Sequence, residues 1–409
     1  MSASDRSGQR LDDRPDDRRD NGLADIAEWR RHLHRHPELG YEVEGTAAFV
    51  AERLTEFGCD EVVTGVGRTG VVGVIHGRHV DGDSTPDTRR VIGLRADMDA
   101  LPINEASGAP WASLTPGHMH ACGHDGHTAM LLGAARALAA DRDFHGSVAL
   151  IFQPAEEGGA GGLAMVEDGL MQRFGIDEVY GLHNMPGMPI GSFAIRPGPL
   201  MACADQFEIV IEGRGGHAAM PHDCIDPVVV SAHLVLALQG IVSRSVAPTE
   251  PLVVSVTTVN VEGDAFNVIP QRVHLRGTLR AFDEAVRVMG KERIRALTEG
   301  ICASFGATGS LDYEDGYPPT VNDAARSAFC ADVARAVAGE AQVDDDRTPS
   351  MGAEDFSYLL QARPGAFIFM GNGDSASLHH PAYDFDDEAI AHGCRYWLTL
   401  IERALPAPV

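Results

Sequence analysis

The sequence predicts an α/β fold: a mixed, mainly parallel sheet flanked by helices, interrupted by an inserted ferredoxin-like α+β domain. Three observations carry this. Helix-type and strand-type patterns alternate through most of the chain. Apolar runs such as Ser147-Val-Ala-Leu-Ile-Phe152 are continuous, as in strands buried on both faces of a parallel sheet. Near residue 203 the pattern switches to period-two alternation, and the order there becomes β-α-β-β-α-β.

Residues 1–21 alternate Asp and Arg with almost no apolar side chains and are expected to form a disordered tail. Residues 23–35 read as a helix stopped by Pro37, and residues 45–57 as a second amphipathic helix. Strands are expected at 70–75 and 90–95, a helix at 128–140, and strands at 147–152 and 178–182. The inserted unit begins with the alternating stretch Gln206-Phe-Glu-Ile-Val-Ile-Glu212. A helix at 227–242, strands at 252–261 and 272–282, a helix at 285–305 and a strand at 309–313 complete it. The α/β alternation then resumes with a helix at 323–338, a strand at 366–370 and a helix at 387–405. The expected division is a first part of the main domain at 22–202, the insert at 203–317, and the completing segment at 318–409.

A chain of 409 residues exceeds one ordinary core and fits two or three domains. The net charge of −26 argues against a nucleic-acid or anionic-membrane surface, which needs basic patches. Seven cysteines, an odd number with no C-x-x-C pair, argue against a disulfide framework and for a reducing, cytoplasmic setting. No apolar run approaches the ~20 residues of a membrane span, and the N-terminal stretch lacks the apolar region of a secretory signal.

The chemistry concentrates in His118-Met-His-Ala-Cys-Gly-His-Asp-Gly-His127, where ten residues hold four histidines, a thiol and a carboxylate. These side chains bind borderline and soft divalent metals. Cys122 and His124 flank a glycine, so one bend can turn both onto one ion. The plain alternative is a set of capping and surface histidines.

Parallel α/β sheets place their sites beyond the carboxyl ends of the strands. Four expected strand ends carry suitable groups there: Asp97 and Asp99; Glu156-Glu157; His183; and a Gly-rich loop leading to His379-His380. Adjacent carboxylates repel and call for a cation. In an extended segment Glu156 and Glu157 point to opposite sides, so one can ligate metal while the other acts as general base on a metal-activated water. Asp97 and Asp99 are candidates to orient ligating histidines from behind. His32, His34 and His36 read as surface or helix-packing residues.

These residues resemble a known family, the M20-type metallopeptidases. The similar branch is that of the amidohydrolases, which includes hippurate hydrolases, N-acyl-amino-acid amidohydrolases and auxin-conjugate hydrolases. The matching stretches are Arg30-Arg-His-Leu-His34, Arg95-Ala-Asp-Met-Asp-Ala-Leu-Pro102, His120-Ala-Cys-Gly-His-Asp125 and Phe152-Gln-Pro-Ala-Glu-Glu-Gly158. Gly181-Leu-His183, Gly213-Arg-Gly-Gly-His217, Phe266-Asn-Val-Ile-Pro270, Met351-Gly-Ala-Glu-Asp-Phe356 and Leu378-His379 continue the match.

The resemblance implies metal ligands at Cys122, His124, Glu157, His183 and His379, and a general base at Glu156. It implies an oxyanion-stabilising role for His217, reaching a partner subunit's site, and a contact of Asn267 with the substrate's carboxylate end. Asp97 stands where other branches carry a histidine ligand, so it and Asp99 remain behind the ligands.

The implied function is hydrolysis of the amide bond of small-molecule N-acyl amino acids at two divalent metal ions. Manganese is favoured, with zinc, cobalt and nickel as alternatives. The insert would act as lid and dimerisation domain, giving a homodimer or a tetramer. Two rival readings stand beside this one. A thiol hydrolase with Cys122 as nucleophile leaves Glu156, Glu157, His183 and His379 without a task. A non-catalytic metal-binding protein has no use for Glu156.

Overall fold

The computed structural model describes residues 17–79 and 90–408. Most of the tail expected at 1–21 lies outside these residues, but its last part does not form a tail: the first helix runs Asp17–Arg35.

The main sheet has eight strands, in the order Glu61–Val66, Gly70–His76, Ser147–Gln153, Val91–Asp97, Glu178–Met185, Gly365–Gly371, Phe193–Ala194 and Val343–Asp344. Its centre is parallel, since Val91–Asp97 pairs in parallel with both neighbours and Gly365–Gly371 pairs in parallel with Glu178–Met185. An antiparallel hairpin, 61–66 with 70–76, makes one edge, and its first strand was not expected from the sequence. Every residue of Val91–Asp97, Ser147–Gln153 and Gly365–Gly371 is buried, as the continuous apolar runs required.

Both faces are covered. Helices Glu44–Glu56, His124–Ala140, Ala324–Ala338 and Ala389–Ala404 pack on one side, around Val50, Leu131, Val333 and Trp397. Shorter helices, Gly161–Glu167 and Phe356–Ala362, pack on the other, around Met165, Phe356 and Leu359.

The insert forms a separate four-stranded antiparallel sheet in the order Leu252–Val261, Arg272–Ala281, Ala204–Glu212, Thr308–Tyr317. Helices Pro227–Gly240 and Glu284–Ser304 cover one face, and Phe207, Ile209, Leu234, Leu275 and Ile294 form its own core. Asp226 and Asp283 cap these helices by accepting the backbone N–H of Val228 and of Val286. The ferredoxin-like order expected from the pattern is present. By length and composition the stretch Pro227–Arg244 matches a membrane span, but Val230, Leu234 and Leu238 are buried in the insert's core. Val228, Val229 and Leu236 remain exposed on its outer side.

Three boundaries move in ways that bear on function. His183 lies inside its strand, Glu178–Met185, rather than after it. The helix expected at 128–140 begins at His124. The last strand of the insert extends to Tyr317, which brings it back to the main domain.

Candidate metal centre and active site

The bend expected between Cys122 and His124 is real. Gly123 has φ +88°, a left-handed conformation that favours glycine, and an added Cβ there would collide with Asn184 and Tyr383. Gly123 also caps helix His124–Ala140, so the thiol and the imidazole leave the same turn.

The five expected ligands converge from four parts of the chain. Donor atoms of Cys122, His124 and His183 lie within 4.8 Å of one another, as do those of Cys122, Glu157 and His379, and those of His124, Glu156 and Glu157. Shared members knit these groups into one cluster. Cys122 Sγ is 3.3 Å from His183 Nε2, and His379 Nε2 is 3.1 Å from Glu157 Oε1. His379 is held at φ +65°, an unfavourable conformation for a residue with a Cβ, while its N–H donates to the Ala121 carbonyl at 2.8 Å.

The hydrogen bonds set the imidazole tautomers. His124 Nδ1 lies 2.7 Å from the Asp99 carbonyl, and His183 Nδ1 lies 2.6 Å from the Asn184 carbonyl. A carbonyl only accepts, so Nδ1 carries the proton in both rings and Nε2 presents a lone pair to the cluster. His124 Nε2 is buried and has no hydrogen-bond partner. An unsatisfied buried nitrogen beside a thiol and carboxylates fits a divalent metal. His127 is used up differently: Nδ1 donates to Asp97 Oδ1 at 2.6 Å, and Nε2 accepts from the Asn184 backbone N–H at 3.0 Å.

The charges make the same point. Burial opposes a charged His124, yet the Asp97 and Asp99 carboxylates push its pKa up to about 10, so these carboxylates favour a cation at Nε2: a second proton when no metal is bound, and a metal ion in its place when one is. Burial raises the Cys122 thiol well above its usual range, and the neighbouring Glu157 and Glu156 carboxylates add to this. A thiol so raised is a poor nucleophile, which weighs against a thiol hydrolase. Beside a metal ion the same group becomes a thiolate ligand.

The Glu156-Glu157 segment is not extended as expected but forms a turn after strand Ser147–Gln153, with Ala155 at φ +53°. Asp99 explains how it is held. Its carboxylate accepts the backbone N–H of Glu156 at 2.9 Å and of Glu157 at 3.0 Å. Asp99 therefore orients His124 through its carbonyl and the two glutamates through its side chain. Asp97 sits between Arg95, 2.6 Å away, and His127, and lies 3.6 Å from His124 Nε2. Both aspartates are buried.

Glu156 is itself buried, and that burial, with the nearby Glu354, Glu157 and Asp355 carboxylates, holds its pKa well above the usual carboxylate range. A buried carboxylate raised in this way holds a proton more readily than an exposed one, as a group that takes up and releases a proton must.

Sequence reasoning passed over several groups here. Glu354 and Asp355 have carboxylate oxygens within 4.8 Å of Glu156, and buried Arg95 binds both at 3.0 Å. His34, expected as a surface or helix-packing residue, is fully buried between Asp125 at 2.8 Å and Glu105 at 3.2 Å. A periodic helix pattern shows an apolar face but not a polar residue sunk into it.

Two expected site residues are not brought to the cluster. His217 is exposed on the two-residue strand Gly216–His217, which pairs with Val268–Ile269 next to Asn267. Their bonds stay local: His217 Nδ1 accepts from the Ala219 N–H, and Asn267's carbonyl accepts from the Ala218 N–H.

Residues 93–403 match the pattern of peptidase family M20/M25/M40. The chain belongs to peptidase family M20/M25/M40. It is 44% identical over 362 residues to a Bacillus subtilis N-acetyl-L-cysteine deacetylase, covering 88% of this chain and 83% of the relative. It is 39% identical over 371 residues to a Campylobacter jejuni hippurate hydrolase, covering 91% and 94%. Its fold is similar to the crystal structure of a dinuclear metal-binding M20-family peptidase from Bacillus subtilis, with a TM-score of 0.81, 34% identity, and coverage of 95% and 100%. The cluster described above lies within the part of this M20/M25/M40 member that matches the family pattern.

Proposed function

We propose that this chain hydrolyses the amide bond of small N-acyl amino acids. Two divalent metal ions would be held by Cys122, His124, Glu157, His183 and His379, with Glu156 as general base. The observation that carries this reading is the convergence of those donor atoms around a second, buried carboxylate, Glu156. The similarity to enzymes that deacylate N-acetyl-L-cysteine and hippurate supports the substrate class. When bound, the metal pair would polarise the scissile carbonyl and lower the pKa of a water at the site.

The chain's own residues supply the rest. Glu156 takes the proton from the attacking water and passes it to the leaving amine. Asp99 holds Glu156 and Glu157 at fixed positions through their backbone N–H groups. His217 would stabilise the developing oxyanion, and Asn267 would contact the carboxylate end of the substrate. Both are exposed in their own chain, which suits a homodimer in which the insert acts as lid and each copy's His217 serves the other's cluster. The exposed Val228, Val229 and Leu236 offer an apolar surface for that contact. We assign manganese as the metal, and a cytoplasmic location on the strength of seven unpaired cysteines.

Replacement of Glu156 by Gln tests the reading. The variant is expected to keep its metal content and lose at least about a thousandfold in kcat. Normal turnover in Glu156→Gln would remove the assignment.

A further inference from the structure

The insert is joined to the main domain by two strands running side by side. Strand Thr308–Tyr317 pairs with Ala204–Glu212 until Tyr317 stands opposite Ala204, and just beyond it Thr320 pairs with Met201. Tyr317 therefore sits where the chain leaves the inserted sheet, and its side chain reaches into the main domain. Its hydroxyl accepts the backbone N–H of Gly158 at 2.8 Å and of Ala160 at 3.2 Å, and donates to the Glu156 carbonyl. One hydroxyl offers one proton and two lone pairs, and all are used.

The turn so gripped is one that needs holding. Ala155 and Ala160 flank it at φ +53° and +52°, left-handed conformations that are unfavourable for a residue with a Cβ. Asp99 holds the turn at the N–H groups of Glu156 and Glu157, and Tyr317 holds it at the Glu156 carbonyl and the N–H groups of Gly158 and Ala160. The first anchor belongs to the main domain, the second to the strand that carries the insert.

We infer that Tyr317 is a positioning residue through which the inserted domain sets the Glu156 turn. Movement of the insert is transmitted to the backbone of the base; of the proposed metal ligands Glu157 shares this turn, held at its N–H by Asp99, while Cys122, His124, His183 and His379 stand on other segments. The inference rests on the assignment of Glu156 as general base.

The test compares Tyr317→Phe with Tyr358→Phe in the full-length, metal-loaded protein. Tyr358 packs edge-on against Tyr317 with ring centroids 6.1 Å apart, and its hydroxyl faces the Gly316 carbonyl at 3.4 Å. Tyr317→Phe is expected to lower kcat roughly ten- to a hundredfold, with KM, metal stoichiometry and thermal midpoint close to those of the parent. Tyr358→Phe is expected to keep the parent's kcat. The inference is overturned if Tyr317→Phe turns over normally, if both variants fall alike, or if Tyr317→Phe loses metal or unfolds early. Glu156→Gln, assayed alongside, separates the two claims. If it is inactive while Tyr317→Phe is normal, only the positioning role falls; if it is active, the base assignment falls and the positioning role with it.

Discussion

Asp99 accepts the backbone N–H of Glu156 at 2.9 Å, and its own carbonyl lies 2.7 Å from His124 Nδ1. One buried residue thus links the proposed base to a proposed metal ligand. Asp99→Asn keeps the size but offers one carbonyl oxygen where two carboxylate oxygens now accept. It is expected to reduce kcat by at least about tenfold and to leave the fold intact, as measured by steady-state kinetics with circular dichroism.

Gly123 is the next point of leverage. An added Cβ meets Asn184 and Tyr383, and φ +88° disfavours any other residue. Gly123→Ala is therefore expected to displace Cys122 and His124 together. Metal content measured after dialysis should fall below half of the parent value, whereas a change at a surface glycine such as Gly187, with open space around it, should not lower it.

A stability change with pH should come from His34. Burial opposes its charge, but Asp125 and Glu105 raise its pKa from 6.5 to about 9. The folded state therefore holds this proton more tightly than the unfolded chain. The stabilisation is fully present below about pH 6.5 and is lost as pH rises through about 9, an effect of about 3 kcal/mol for a group so buried. Urea midpoints should fall between pH 6.5 and 9.5 in the parent, and that part of the slope should vanish in His34→Gln.

His217 makes a prediction about assembly. Glu156→Gln and His217→Ala should each be inactive alone. A mixed dimer of the two should regain activity at one site, where the His217→Ala chain keeps Glu156 and its partner supplies His217. Mixing that restores nothing would place His217 outside the partner's site.

Much of this was legible in the sequence because it is local. The Cys122-Gly-His124 bend, the continuous apolar strands and the period-two insert each follow from neighbouring residues. Glu156, Glu157, His183 and His379 were visible because strand ends converge in a parallel sheet. What escaped depends on partners distant in the chain. His34 reads locally as one more surface or helix-packing histidine, and only the fold sets Asp125 and Glu105 against it. Glu354 and Asp355 carried no assigned task until Arg95 drew them beside Glu156. Tyr317 lies beyond the expected end of its strand, so nothing in its neighbourhood pointed to the Glu156 turn. The Glu156-Glu157 segment reads as extended in the sequence, but Asp99 and Tyr317 hold it as a turn from outside, at the Glu156 backbone next to left-handed Ala155.

The central claim is metal-dependent hydrolysis of N-acyl amino acids, and reconstitution tests it most directly. Protein stripped by a chelator should be inactive on a panel of N-acetyl, benzoyl and longer N-acyl amino acids. Activity should return as manganese, zinc or cobalt is added, levelling off near two ions per chain, with manganese the most effective. Full turnover by the metal-free protein, or no hydrolysis of any N-acyl amino acid by the fully loaded one, would contradict the account.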